Sequence, residues 1–532
     1  MNAKDKYRHW YDAGAGMQPV TENNQVSFFI TGEEAFEDIG DRLEYEAGKD
    51  AEAYFLGWSY DHKLPMRPNP PTPGLANLSQ LLSHFDAKGG VVRAMLWDNS
   101  IMTGGAGTPD AVKFINGLSH GKAILDRRTP LAGAHHQKIQ AFVTGPDAEE
   151  PRASLAYCGG MDLWGDRIGP QGLHDVHCKI FGDGANELIK VFVERWNDHQ
   201  DHGADLKPAY RSLGPDNGGD LVQVCRTYPR FESSYLYSLL LNRFAAPINQ
   251  ALATGGGPRS GDMTVNRTTR FYRFYDPSQG VQQIGRAVRK AITEAKKFIY
   301  LEDQYLVHKW VGQELAKKLA NSGTDFRLVI LVLHPDAADI EQVWPRRREV
   351  LAPLQAVDPT QKRWRVLHRR LDRPHSYVHS KTWIFDDELV ITGSANADRR
   401  GYTYNSEADV VVAGDLTGAR RSAFGATTVA QDLRCRLFAK HLGGRPAAYL
   451  NPKQALARWL GPYSQTNVAV FDPKAKRGNP DKYVEALEAA GKELTPEGKA
   501  ATGALNLMGL SGGADNWLWD YVEDPDSNVP NP

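Results

Sequence analysis

Long apolar runs are the first thing this chain lacks. The longest, Leu328 to Leu333, falls far short of the roughly 20 residues that span a bilayer. The segment from Met1 to Val20 is polar and charged, without the apolar stretch of a secretory signal. From these two absences the expectation is a protein without signal or membrane span, cytoplasmic or exported by a signal-independent route. Charge of one sign is also missing. The 63 Lys and Arg nearly balance the 64 Asp and Glu, leaving a formal net charge of −1. No overall field then draws the chain to a polyanion, and no nucleic-acid partner is expected. Cysteine is scarce. Cys158, Cys178, Cys225 and Cys435 form no Cys-x-x-Cys pair and read as buried thiols, with a Cys158–Cys178 disulfide as the alternative.

What remains is an ordinary globular composition, 41% hydrophobic and 24% charged over 532 residues, enough for two or more full cores. The most informative feature is a doubled pattern. His136-Gln137-Lys138 precedes Gly159-Gly160-Met161-Asp162, and His379-Ser380-Lys381 precedes Gly393-Ser394-Ala395-Asn396. About half the chain separates the two. One His-x-Lys is noise; two, each with a similar second motif downstream, predict one active site built from two lobes.

The flanking pattern repeats as well. A helix near 34–47, a strand at 53–58, a helix near 78–85 and a strand at 91–96 lead to the His136 strand. A helix at 284–296, a strand at 298–302, a helix at 312–320 and a strand at 326–333 lead to the His379 strand. Helical stretches at 188–197 and 429–441 close each half. Alternating helix and strand predicts an α/β fold: two similar lobes, each a mixed sheet flanked by helices, with the active site between them. The expected boundaries are residues 1–225, 226–445 and a tail, 446–532, packed on the second lobe. Pro65–Pro73 reads as an irregular loop and Gly255–Gly261 as a flexible excursion.

Two His and two Lys in one cleft suit phosphoryl transfer. The ammonium groups neutralise phosphate oxygens, one imidazole attacks phosphorus, and the other handles the leaving-group proton. The chemistry requires no metal cofactor; an effect of calcium is left open. Each imidazole needs an acidic partner to fix its tautomer. Asp175 and Glu407, each opening a strand-like run after its Gly motif, are the candidates. Side chains alternate along a strand, so His379 and Lys381 share a face while Asp386, an odd number of residues on, points the other way. Asp386 therefore reads as structural, and its replacement by Val143 in the first half should not abolish chemistry. His177-Cys178-Lys179 is a third His-x-Lys without the glycine pair and reads as structural. His135 should face away from the pocket. Arg346-Arg347-Arg348 reads as a solvated helix face, and Trp164, Trp344 and Tyr377 as packing.

These motifs resemble the phospholipase D superfamily. The second copy, His379-Ser-Lys381-Thr-Trp-Ile-Phe-Asp386 with Gly393-Ser394-x-Asn396 and Ser406-Glu407, matches the family pattern in full. The first, with Gly159-Gly160-Met161-Asp162-Leu163 and His174-Asp175-Val176-His177, is similar to true phospholipases D. Ile299-Tyr-Leu-Glu-Asp-Gln304 also resembles a family segment, usually Glu-Asn-Gln. The resemblance covers roughly residues 25–445. It implies His136 as nucleophile and His379 as general acid, although the two half-sites are nearly equivalent in sequence. It also implies catalytic Lys138, Lys381, Asp175 and Glu407, with Asn396, Asp162, Gly160 and Ser394 at the substrate. The implied activity is hydrolysis of membrane glycerophospholipids to phosphatidic acid through phosphohistidine, with transphosphatidylation capacity and peripheral membrane contact. The alternatives are a phosphatidylserine or cardiolipin synthase-like phosphatidyltransferase, a superfamily nuclease, and a non-enzymatic scaffold. A bacterial toxin delivered into a rival cell, with an immunity protein as its partner, fits the missing signal.

Overall fold

A computed structural model describes residues 3–98, 107–126, 128, 133–146, 150–212, 219–229, 273–276, 279–334, 337 and 343–471. The first repeat contains β1 (Val20–Phe29), β2 (Ala51–Gly57), β3 (Val91–Trp97), β4 (Gly121–Asp126), β5 (Ile139–Thr144), β6 (Leu155–Gly159) and β7 (His177–Gly182). The second contains β8 (Asp220–Tyr228), β9 (Val281–Gln282), β10 (Phe298–Asp303), β11 (Arg327–Val332), β12 (Trp364–Arg369), β13 (Lys381–Phe385), β14 (Leu389–Gly393) and β15 (Glu407–Ala413), with β16 (Val468–Val470) at its rim.

These strands join in a single mixed sheet, in the order β16-β12-β11-β10-β13-β14-β15-β8-β1-β7-β6-β5-β2-β3-β4, with β9 on β8. Two halves of the same strand order meet where β1 and β8 pair antiparallel. The register confirms the duplication: Tyr54 faces Ala141 in the first half and Tyr300 faces Ile384 in the second. Each of those partners lies five residues past its motif histidine. The sheets expected as two are thus continuous, and the expected boundary at 225 falls inside β8.

Hydrophobic periodicity accounts for the layers. In the helix Gly32–Glu46, Phe36, Ile39 and Leu43 fall on one buried face, the spacing of an amphipathic helix. Thr31 caps it by accepting from the Glu34 N–H at 3.2 Å, which satisfies one otherwise unpaired donor. Strands alternate between layers. In β10, Ile299 and Leu301 enter the outer core of the second repeat, while Phe298 and Tyr300 enter a core shared by both repeats. That shared core is closed by the helices Asp183–Asp198 and Val429–Leu442. All six residues of β10 are buried, the carboxylates Glu302 and Asp303 included.

Neither motif histidine lies within a regular strand: β5 begins at Ile139 and β13 at Lys381. The reason is a contact between repeats. His136 N–H donates to the Ser406 carbonyl and His379 N–H to the His174 carbonyl, at 2.9 and 2.8 Å. Asp386 likewise sits beyond its strand. It starts a tight turn, with φ of 56° there and 62° at Asp387. Its carboxylate accepts from the N–H groups of Lys296, Lys297 and Phe298 at 2.6, 2.8 and 2.7 Å, holding the start of β10. Val143 instead joins Ile139 and Ala141 in the shared core.

The Arg346–Arg348 run departs from expectation. Arg346 and Arg347 are buried and only Arg348 is exposed. Arg347 donates to the carbonyls of Tyr305, Leu333 and Gln304, so loop carbonyls, not water, solvate its charge. The four cysteines are free and buried, with Cys158 and Cys178 facing each other across β6 and β7. Gly255–Gly261, the tail beyond 471 and the side chain of Trp344 lie outside the described residues.

Replacing Asp386 by Asn turns one acceptor into a donor facing backbone N–H groups. A charge-assisted bond contributes about 1.5–3 kcal/mol, so D386N should unfold several degrees lower while the folded enzyme keeps its turnover. Thermal unfolding and an activity assay on the same sample check this.

Candidate active site

The two half-sites meet where the ends of β5–β7 approach those of β13–β15. Short parallel bridges join His135 to Ser406 and His174 to Val378, and the Cys158 thiol reaches the Ala408 carbonyl at 3.4 Å. Each imidazole is held by a carboxylate of the other repeat. His136 Nδ1 lies 3.1 and 3.0 Å from the two Glu407 oxygens. His379 Nδ1 lies 2.8 Å from Asp175 Oδ2. A neutral imidazole that donates from Nδ1 presents the lone pair of Nε2, so both rings are set as nucleophile or base.

The carboxylates are fixed in turn. Glu407 accepts from Ser394 Oγ at 2.5 Å and Asn405 Nδ2 at 3.0 Å. Asp175 Oδ1 accepts from the Val176 N–H at 2.9 Å. A Cβ on Gly160 would lie 2.1 Å from Asp175 Oδ1, so this position admits only glycine while Asp175 stays in place. Gly160 and Ser394, expected at the substrate, thus stand against the carboxylates that hold the rings.

Lys138 and Lys381 are buried beside their histidines. Lys138 Nζ donates to the His136 carbonyl at 2.8 Å and lies 3.3 Å from Asp162 Oδ2. Lys381 Nζ donates to the His379 carbonyl and, at 2.9 Å, to Gln304 Oε1. Gln304 also donates to the Tyr377 hydroxyl at 2.9 Å, so Tyr377 belongs to the wall of the site. Asp162 Oδ1 accepts from the N–H groups of Trp58 and Ser59. Its counterpart Asn396 is buried, and its Oδ1 has no hydrogen-bond partner.

Burial, reinforced by Lys138 and Lys381, holds His136 well below the usual imidazole range. Burial, with Lys381 and Arg167, does the same to His379. Both rings are therefore neutral near pH 7. Burial pushes Glu407 up to about 8 and pulls Lys381 down to about 8. An anion placed between the lysines would offset the repulsion and favour a proton on either ring.

Sequence reasoning missed several supports. Arg167 is buried, with Nε 3.5 Å from Asp175 and Nη2 3.9 Å from Asp162. Its only signal was a place five residues after Asp162. Asp303 accepts from Tyr305, Leu306 and Ala397 N–H groups, fixing the turn that carries Asn396. The decoys resolve as structural. His177 pairs with Gln140 and Lys179 with Asp38. His135 turns to Asp126 at 3.2 Å, and Trp164 packs over Gly107.

The Gly160 contact generates a prediction. G160A should lower turnover on the order of 100-fold through displacement of Asp175, and the buried clash should lower the unfolding temperature by several degrees while the fold is kept. Circular dichroism together with steady-state kinetics checks it.

Comparison with known proteins adds an independent line. Residues 288–423 match the family model described as cardiolipin synthase, PLD-like domain. The chain is 22% identical over 406 residues to a cardiolipin synthase 2 of Staphylococcus epidermidis, an alignment covering 74% of this chain and 65% of that protein. It is 22% identical over 309 residues to a Staphylococcus aureus cardiolipin synthase, covering 56% and 48%. It is 22% identical over 534 residues to phospholipase D alpha 1 of Nicotiana tabacum, covering 75% and 63%. The chain thus spans less than two thirds of the length of these relatives. Among solved structures, a phosphatidylserine synthase from Haemophilus influenzae superposes with a TM-score of 0.48 at 11% identity, covering 92% of this chain and 96% of that one. In its duplicated His-x-Lys motifs and in these matches the chain is similar to the phospholipase D superfamily, and residues 288–423 match its PLD-like domain.

Proposed function

We propose that the protein transfers the phosphatidyl group of a glycerophospholipid to an alcohol through a phosphohistidine. The observation that carries this is the pair of buried imidazoles, each tied at Nδ1 to a carboxylate of the other repeat and each beside a buried lysine. In the first step Nε2 of one imidazole attacks phosphorus, and the bond from phosphorus to the head-group oxygen breaks. The second imidazole, protonated once the phosphate anion sits between the lysines, gives its proton to that oxygen. In the second step an alcohol loses its proton to the same imidazole and attacks phosphorus, and the N–P bond breaks. The family resemblance gives attack to His136 and proton transfer to His379. Lys138, Lys381 and Asn396 supply the phosphate contacts.

Hydrolysis, the activity put first by the motifs alone, uses water in the second step. The matches to cardiolipin synthases support transfer to an alcohol instead. The match to a plant phospholipase D keeps hydrolysis as the second reading.

The test uses liposomes of phosphatidylglycerol and phosphatidylethanolamine with EDTA, with and without ethanol. Transfer predicts a diphosphatidyl product, or phosphatidylethanol when ethanol is added. Phosphatidic acid alone would establish the hydrolase. A folded protein that leaves every lipid intact would overturn the lipid reading.

Lys381 sets the alkaline limit. It is cationic below about 8 and loses its charge as pH rises through that value, removing one of two phosphate-binding cations. A pH series of kcat/KM, which reports the free enzyme, should therefore fall above about pH 8.

A further inference from the structure

A buried cluster behind His379 takes no part in the steps above. Glu302 follows Phe298 and Tyr300 on the inner face of β10 and is fully buried. Its two oxygens meet two histidines. His174 Nε2 lies 2.7 Å from Oε2, and His441 Nε2 lies 2.7 Å from Oε1. Tyr300 donates to Oε1 at 2.6 Å. The two rings stand edge to face, 4.7 Å apart, and both are fully buried.

Two histidines and a glutamate with ligand atoms within 4.8 Å of one another could hold a metal ion. The hydrogen bonding disfavours it. Arg369 Nη1 lies 2.8 Å from His441 Nδ1, and a guanidinium only donates. His441 Nδ1 must then accept, so the ring proton sits on Nε2 and points at Glu302. A metal on that nitrogen would require an imidazolate. The cluster fits one ionised carboxylate accepting from two neutral rings. Burial would raise Glu302, but the histidines hold it well below the usual range, while burial keeps His174 down at about 3 and His441 at about 4.

The consequence lies in what His174 touches. Its carbonyl accepts the N–H groups of His379 at 2.8 Å and Ser380 at 3.2 Å, and its own N–H donates to the Tyr377 carbonyl. The next residue, Asp175, holds the His379 ring. A shift of His174 therefore moves both the backbone and the ring partner of His379. The other half-site is built differently. Strand register places Leu56 where Glu302 stands, and Ser406 takes the place of His174 in receiving the His136 N–H.

We propose that Glu302, with His441 behind it, is a positioning residue that holds His174 and so aims His379 for proton donation to the leaving alcohol. This rests on the phosphatidyl-transfer reading. Two substrates with the same phosphatidyl group separate its outcomes. Phosphatidylglycerol loses an alkoxide that needs a proton; phosphatidyl-p-nitrophenol loses a phenolate that does not. In E302Q, the first-turnover rate on phosphatidylglycerol should fall on the order of 10- to 100-fold at an unchanged half-saturating concentration. On phosphatidyl-p-nitrophenol the first-turnover release of p-nitrophenolate, which precedes the base step that His379 also serves, should fall less than threefold, and H379N should show the same selectivity more strongly. H441N leaves the Glu302–His174 bond in place and should give a smaller loss of the same kind; it carries the test if E302Q does not fold. Equal losses on both substrates in a folded E302Q, H441N or H379N would overturn the proposal, as would one equivalent of bound metal in the wild type that E302Q lacks. Failure of the wild type on both substrates would instead overturn the transfer reading itself.

Discussion

Each motif imidazole is completed by the opposite repeat, and that exchange constrains everything around it. Glu407 and Asp175 are fully buried. A buried carboxylate without partners is costly by several kcal/mol. Each takes hydrogen bonds within its own repeat, Glu407 from Ser394 and Asn405 and Asp175 from Val176, and each is completed by the histidine of the other. The antiparallel seam between β1 and β8 and the bridges at His135 and His174 then serve one purpose. They bring two sequence-distant segments within hydrogen-bond reach while closing a shared core beneath them. Folding and assembly of the site are one event in such an arrangement.

Much of this was legible from residues alone, because each repeat carries its own periodicities. The helices near 34–47 and 429–441 and the strands at 91–96 and 298–302 follow from local patterns that tertiary packing reinforces. The motif residues were visible because two copies filtered the noise. The structural part for Asp386 followed from an alternation argument, although the residue lies in a turn beyond the strand. The seam was not legible. β1 and β8 carry polar residues such as Asn24, Asp220 and Gln223, which break the apolar pattern of a buried strand, yet all three are buried in side-chain hydrogen bonds. Arg347 misled for the same reason: a basic run reads as solvated unless loop carbonyls take the place of water. The pairing of each ring with the other repeat's carboxylate is a long-range fact that no local pattern encodes.

The repeats have diverged in what lies beneath the two histidines. Under His136 runs a cluster of Asp126, Arg195 and His135, with Arg195 reaching Gln137 at 2.5 Å. Under His379 lies the Glu302 cluster, with Arg369 as its cation. Both place a buried carboxylate and an arginine below the motif, so net charge differs little. They differ in the group they restrain. Arg195 anchors the residue next to His136 in sequence, whereas Glu302 anchors the residue next to Asp175.

That difference bears on mechanism. A nucleophile needs its lone pair aimed at phosphorus, and a backbone held on both sides of the ring provides that. A proton donor must also gain and lose charge during turnover, so its carboxylate partner must stay fixed while the ring changes state. Asp175 is held on one side by the Val176 N–H, while Gly160 leaves room for its carboxylate and Arg167 stands close by. Through His174 it is held on the other side by Glu302. Glu407 is held instead by Ser394 and Asn405 of its own repeat, so on the proposed division of labour the two half-sites differ in how their carboxylates are supported beneath the histidines and not in the motifs they share.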